Sequence, residues 1–118
     1  MNLAELFRHE TDLKTLPAGE TLFSEGEQGE SMYVLMSGTA EIIVRKRVME
    51  SAGTGAILGE MAMIDDAAHS ATVIAKSDCT FFPIDRKRLN FLIQQTPNFA
   101  LHVMRVMSAR LRRTDECL

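Results

Sequence analysis

Leu58-Gly59-Glu60-Met61-Ala62-Met63-Ile64-Asp65-Asp66-Ala67-Ala68-His69-Ser70-Ala71-Thr72 is the stretch whose reading decides the fold. It is approached through Gly53-Thr54-Gly55-Ala56-Ile57 and runs into an alternating apolar segment. Gly59 permits backbone angles and close approaches that a side chain forbids, so the residues after it can open a helical turn with N–H groups facing a concavity. Such a turn favours an anion, because unpaired amides and the positive end of the helix dipole both act on negative charge. Glu60 is out of place beside an anion unless its carboxylate accepts from a neutral hydroxyl, a role that suits a ribose. Phosphate on the amides and sugar on the acid together describe a nucleotide.

The same segment resembles the phosphate-binding cassette of the cyclic nucleotide-binding domain family, of the catabolite activator protein and protein kinase A regulatory subunit type. The family pattern runs Phe-Gly-Glu-Leu/Met-Ala-Leu/Met, an aliphatic residue, a few variable residues, then Arg-Ser/Thr/Ala-Ala-Thr. Gly59, Glu60, Met61, Ala62, Met63, Ile64, Ser70, Ala71 and Thr72 fit it, while Leu58 replaces Phe and His69 stands where the family has Arg. The resemblance implies that Glu60 holds the ribose 2′-hydroxyl, that Gly59 and Ala62 lend amides to the phosphate, and that Ser70 adds a hydroxyl. The ligand-binding set it implies is Gly59, Glu60, Met61, Ala62, His69, Ser70 and Ala71, and the ligand is cAMP or cGMP.

His69 is the departure that matters most. An arginine offers a planar fork that stays charged, whereas histidine offers two nitrogens and is mostly neutral at neutral pH. Losing one charge-assisted hydrogen bond costs roughly 1.5 to 3 kcal/mol, a fall of about ten- to a hundredfold in affinity. A loop histidine is ordinarily a solvated surface residue. Within this motif two other readings stand side by side: a weakened phosphate donor whose binding tightens as pH falls, and the mark of a pocket that has lost its nucleotide.

With 118 residues the chain holds one domain with a proper core, burying about two-thirds of its unfolded surface. Hydrophobic residues at 46% and charged residues at 25% exclude a disordered chain. A net charge of −3 leaves no overall electrostatic footprint for nucleic acid. The basic runs Arg45-Lys46-Arg47, Arg86-Lys87-Arg88 and Arg110 to Arg113 read as solvated turns or helix faces. Cys79 and Cys117 make neither a metal pattern nor a disulfide framework, which points to a reducing cytoplasm. The N-terminus lacks a signal-peptide pattern and no apolar run is long enough to span a membrane.

In chain order, Leu3, Leu6, Phe7 and Leu13 predict a short amphipathic helix or a helix and turn within residues 2–14, capped by Asn2. Thr21-Leu22-Phe23, Ser31 to Met36 and Thr39 to Val44 read as short strands between glycine turns, the pattern of a barrel or sandwich. A hairpin joins Ile42-Ile43-Val44 to Val48-Met49 through Arg45-Lys46-Arg47, which lacks the Asn-Gly or Asp-Gly of a type I′ turn. Ala71 to Ala75 and Thr80 to Asp85 are two further strands, with Pro83 placing the second at an edge or ending it. Asp85 caps a helix over Arg86 to Gln95 whose Leu89, Leu92 and Ile93 share one face, and Thr96-Pro97 starts the last helix, with an apolar face from Asn98 to Arg113.

The fold expected is therefore mainly β with flanking helices (α+β): a double-stranded β-helix jelly roll with a short phosphate-cassette helix and two C-terminal helices. Residues 1–118 form a single domain, with 1–14 a helical lead-in, 15–85 the β-roll and 86–118 the C-terminal helices. The resemblance implies a short, stand-alone, bacterial-type cyclic nucleotide sensor that moves its C-terminal helices on binding and acts on an effector protein. The spacing Ala100-Met104-Met107-Leu111 fits a seam for a homodimer through the helix 98–113. The alternative is a degenerate domain that binds no cyclic nucleotide and serves as a protein-interaction module. No catalytic residue and no metal site is assigned, since His9, His69 and His102 are scattered and no nucleophile has a recognisable partner.

Overall fold

The computed structural model describes residues 1–116, with side chains through Arg113; Cys117 lies outside the described residues. In chain order the strands are β1 (Lys14–Leu16), β2 (Thr21–Phe23), β3 (Ser31–Ser37), β4 (Ala40–Val44), β5 (Arg47–Ala52), β6 (Ile57–Leu58), β7 (Thr72–Ala75) and β8 (Cys79–Asp85). The helices are α1 (Leu3–Leu6), α2 (Glu60–Asp65), α3 (Arg86–Gln95) and α4 (Pro97–Glu116). Two antiparallel sheets form, in the orders β1-β8-β3-β6 and β2-β7-β4-β5. This is the jelly roll with flanking helices.

Alternation along the first sheet explains how the helices attach. Met32, Val34, Ile57, Phe82 and Ile84 turn outward to a core shared with Leu3, Phe7, Leu89, Phe99 and Val103 of the helical segments. Their neighbours Leu35, Leu58, Cys79 and Phe81 turn inward to meet Leu22, Phe23, Val73 and Ala75 of the second sheet. Side chains of a strand alternate between faces, so a sheet apolar on both faces must be covered twice. Phe81, Phe82 and Phe99 are fully buried, each worth about 1.5 to 3 kcal/mol relative to exposure. Cys79 is buried in the inner core with Phe81 as a small apolar residue.

The lead-in helix is shorter than residues 2–14 allowed. Asn2 accepts from the Glu5 amide at 3.2 Å and caps it, but α1 ends at Leu6 because the polar run Arg8 to Asp12 continues no apolar stripe. Phe7 closes the segment by packing on Phe82 at 4.7 Å between ring centroids.

Pro83 does not mark an edge strand: β8 runs between β1 and β3 and continues to Asp85. The proline is tolerated because β1 ends opposite Phe81, leaving the far flank of β8 unpaired at Pro83. The turn of the β4–β5 hairpin is two residues, not three, since Val44 pairs with Arg47. Arg45 and Lys46 take φ of 52° and 68°, the left-handed pair of a type I′ turn, without the glycine or asparagine that favours it.

Asp85 caps α3, accepting from the Arg88 amide at 2.8 Å. Leu89 and Leu92 pack on the helical core as expected, whereas Ile93 is 40% exposed, because the covering face is narrower than the stripe in the sequence. In α4 Phe99 and Val103 are buried, Val106 and Met107 half-buried against the same core, and Met104 and Leu111 point away from it at 62% and 63% exposure.

Candidate functional site

Helix α2 leaves β6 through Gly59, whose backbone is left-handed at φ 79°. A Cβ there would lie 3.0 Å from the His69 ring and 3.2 Å from the Phe23 ring, so both the angle and the space call for glycine. Gly29 has the same function from the opposite side: its Cβ would lie 2.5 Å from Ala62 Cβ, so the loop before β3 presses its backbone directly on α2. Met63 anchors the helix in the helical core. Its C-terminal end is held from α3, where Arg86 Nη2 donates to the Met63 carbonyl at 2.8 Å and to Asp66 Oδ1 at 3.3 Å. A cation on terminal carbonyls opposes the negative helix end.

This frame closes one side of a cavity of about 140 Å³. Phe23, Ile42, Val44, Met49 and Val73 of the second sheet give it an apolar floor, and α4 supplies its roof through Arg110 and Arg113. Gly59, Glu60, Met61, Ala62, His69, Ser70 and Ala71 all line it, so the structure brings the whole sequence-derived set to one place. Met61 is 40% exposed at its mouth, and Ser70 Oγ donates to Met61 Sδ at 3.8 Å.

Electrically the cavity is a closed circuit. Glu60 is only 3% exposed and accepts from Arg110 Nη1 at 2.7 Å. Arg110 also grips Glu50 with two bonds, Nε to Oε1 at 3.2 Å and Nη2 to Oε2 at 3.1 Å. Arg113 Nη1 donates to Glu50 Oε1 at 2.7 Å. Burial pushes the Glu50 carboxyl up, but the bonds and charges of the two arginines outweigh it and hold the group below its ordinary value. For Arg110 burial acts against the charge, and the two carboxylates more than offset it.

His69 is not the solvated residue a loop position implies. It is 5% exposed, with its ring stacked on Phe23 at 3.7 Å and 10° between planes. Its amide donates to the Glu27 carbonyl and its carbonyl accepts from the Gly26 amide, both at 2.8 Å. Burial lowers its pKa from the ordinary histidine value, against a smaller opposing pull from Glu27 and Glu60.

Glu50, Arg110 and Arg113 are the cavity-lining residues that sequence reasoning missed, having placed these arginines on a solvated face. A signal was present for one of them. Phe99, Val103, Val106 and Arg110 follow a 4-3-4 spacing, so Arg110 occupies the next inward slot of a core stripe. Among the described residues no group of three or more His, Cys, Asp or Glu is placed to hold a metal ion, and no described helix is long and apolar enough to cross a membrane.

The chain belongs to the cyclic nucleotide-binding domain family, whose profile matches residues 13–96. It is similar to a CRP-like cAMP-activated global transcriptional regulator of Mycobacterium tuberculosis, 28% identical over 107 residues that cover 86% of this chain and 48% of the relative. A cAMP-dependent protein kinase regulatory subunit of Yarrowia lipolytica is 33% identical over 73 residues, 62% of this chain and 20% of the relative. Among solved structures, the Thermus thermophilus catabolite activator protein superposes with a TM-score of 0.81 at 25% identity, covering 96% of this chain and 54% of that one. The chain thus spans about half the length of the bacterial regulators it matches.

Proposed function

We propose that the chain binds a cyclic nucleotide, cAMP or cGMP, in the cavity between α2, the second sheet and α4, and acts as a regulatory module. The observation that carries this reading is Glu60. It is a buried acid facing an apolar cavity, held in orientation by a guanidinium at 2.7 Å, beside a helix start whose N-cap residue has no side chain to occupy the amides. Sugar on Glu60, phosphate near Gly59 and Ala62, and base along Val73, Ile42 and Val44 account for the lining in chemical terms. The relatives named as cAMP-activated and cAMP-dependent support the same ligand class.

Size supports a moving helix. The cavity holds about 140 Å³, below the roughly 300 Å³ at which pockets for ligands of this mass begin. A shift of α4, whose Arg110 and Arg113 form the roof, makes room for a complete nucleotide and is the output of this reading. The exposed Met104 and Leu111 suit a homodimer or an effector protein in a cytoplasmic setting.

Thermal unfolding with a nucleotide panel tests the reading. A ligand at a hundred times its dissociation constant stabilises the fold by about 2.7 kcal/mol, so cAMP or cGMP raises the midpoint while AMP and GMP do so less. No shift with either cyclic nucleotide leaves the degenerate, protein-interaction reading in its place.

A further inference from the structure

We infer that the cation this pocket offers to an anionic sugar phosphate is Arg110 of α4, and that the residue in the cassette's arginine position, His69, contributes shape instead of charge. The inference rests on the nucleotide reading above and deepens it. Stacked on Phe23 and packed against the space beside Gly59, the imidazole serves as part of the wall. Among the described residues, the charged side chains that line the cavity are Glu50, Glu60, Arg110 and Arg113. Of the two arginines, Arg113 is 46% exposed at the rim and Arg110 18% exposed within, so Arg110 acts across the less screened path.

Charge balance gives the direction. Among the described residues two carboxylates and two guanidiniums balance in the lining. Without Arg110 it carries a net negative charge, which repels a phosphate and leaves Glu60 buried without its guanidinium partner. Arg110 binds Glu60 Oε1, and among the described residues no donor is bonded to Oε2. A carboxylate has room for several donors, so the arginine orients the acid while the second oxygen accepts a sugar hydroxyl. Arg110 is thus a positioning and charge-balancing residue. Because it is carried by the roof helix and not by the cassette, the ligand's charge is felt directly by the element that has to move.

The test measures binding of cAMP and of adenosine, which keeps the ribose and base but lacks the phosphate, to the full chain and to R110Q, R110K and H69Q, each first checked for cooperative thermal unfolding. In R110Q the affinity for cAMP falls about ten- to a hundredfold, and adenosine, which loses only the orientation of Glu60, falls by less, so the cAMP-to-adenosine ratio drops. R110K, which retains charge and fold, falls between wild type and R110Q. H69Q weakens both ligands in parallel, keeping their ratio. A cAMP-to-adenosine ratio that collapses in H69Q and survives in R110Q overturns the inference and leaves nucleotide binding intact, as does tighter cAMP binding by R110Q. A wild-type chain that binds neither cAMP nor cGMP overturns the nucleotide reading, and this inference with it.

Discussion

Arg110 Nη1 of α4 lies 2.7 Å from Glu60 Oε1 of α2, joining the last helix to the cassette across fifty positions of chain. The two side chains are 18% and 4% exposed, so neither is well solvated if its partner is lost. Removing one member of a buried pair costs about 3 to 5 kcal/mol, while replacing both with apolar groups costs far less. Arg110→Met is expected to destabilise by about 3 kcal/mol in urea unfolding, the lower end because Arg113 still binds Glu50. The double variant Arg110→Met, Glu60→Leu recovers a large part of that loss; strictly additive effects would show that the pair is not coupled.

Acid destabilises the fold in two steps. His69 is held below its ordinary value of 6.5 by burial, so the unfolded chain takes up the proton first. Stability therefore starts to fall as pH drops below 6.5 and levels off beneath the folded value. Glu50 is held below 4.5 despite its burial, so the stability contributed by its arginine contacts is present above 4.5 and lost as pH falls through the lower folded value. In unfolding free energies measured from pH 8 to 3, His69→Gln reduces the upper step, leaving the part contributed by His102, whose burial likewise lowers its pKa, and Glu50→Gln reduces the lower.

Gly59→Ala tests the entry to α2. The new Cβ meets the His69 and Phe23 rings at 3.0 and 3.2 Å in a backbone at φ 79°. Left-handed geometry alone costs roughly 1 to 2 kcal/mol for a residue with a Cβ, so a loss of about 2 kcal/mol is expected in thermal unfolding. A neutral result would mean that the cassette entry relaxes without strain.

At the β4–β5 hairpin the expected change has the opposite sign. Arg45 and Lys46 both sit at positive φ, and Lys46→Gly relieves one such residue at some cost in chain entropy. A net gain of about 0.5 to 1 kcal/mol in unfolding free energy follows. Lys46 does not itself line the cavity, but its hairpin supplies Val44 and Met49 to the floor, so binding is measured in parallel.

Much of this architecture was legible because it is written in local chemistry. The strand runs with glycine turns, Asp85 and Thr96-Pro97 at helix starts, and Gly59 before Glu60 each specify their own backbone. Part of what was not legible depends on who meets whom across the fold. The interior place of β8 depends on β1 and β3, pairing partners far away in sequence, while the end of α1 and the two-residue turn at Arg45-Lys46 are local features whose residues carry no strong signal for them. The site's arginines depend on distant partners too. A basic run reads as solvated until a helix packs over two acids from other elements, as α4 does over Glu50 and Glu60.

The central claim, that Glu60 takes the sugar of a cyclic nucleotide, is tested most directly by calorimetric titration of cAMP and 2′-deoxy-cAMP into the wild-type chain and Glu60→Gln. A saturable one-to-one isotherm is expected for cAMP. Loss of a hydrogen bond to a charged group, worth about 1.5 to 3 kcal/mol, weakens the deoxy analogue roughly ten- to a hundredfold, and Glu60→Gln erases most of that difference. Equal affinities of the wild-type chain for the two ligands, or no binding of either, would contradict the account.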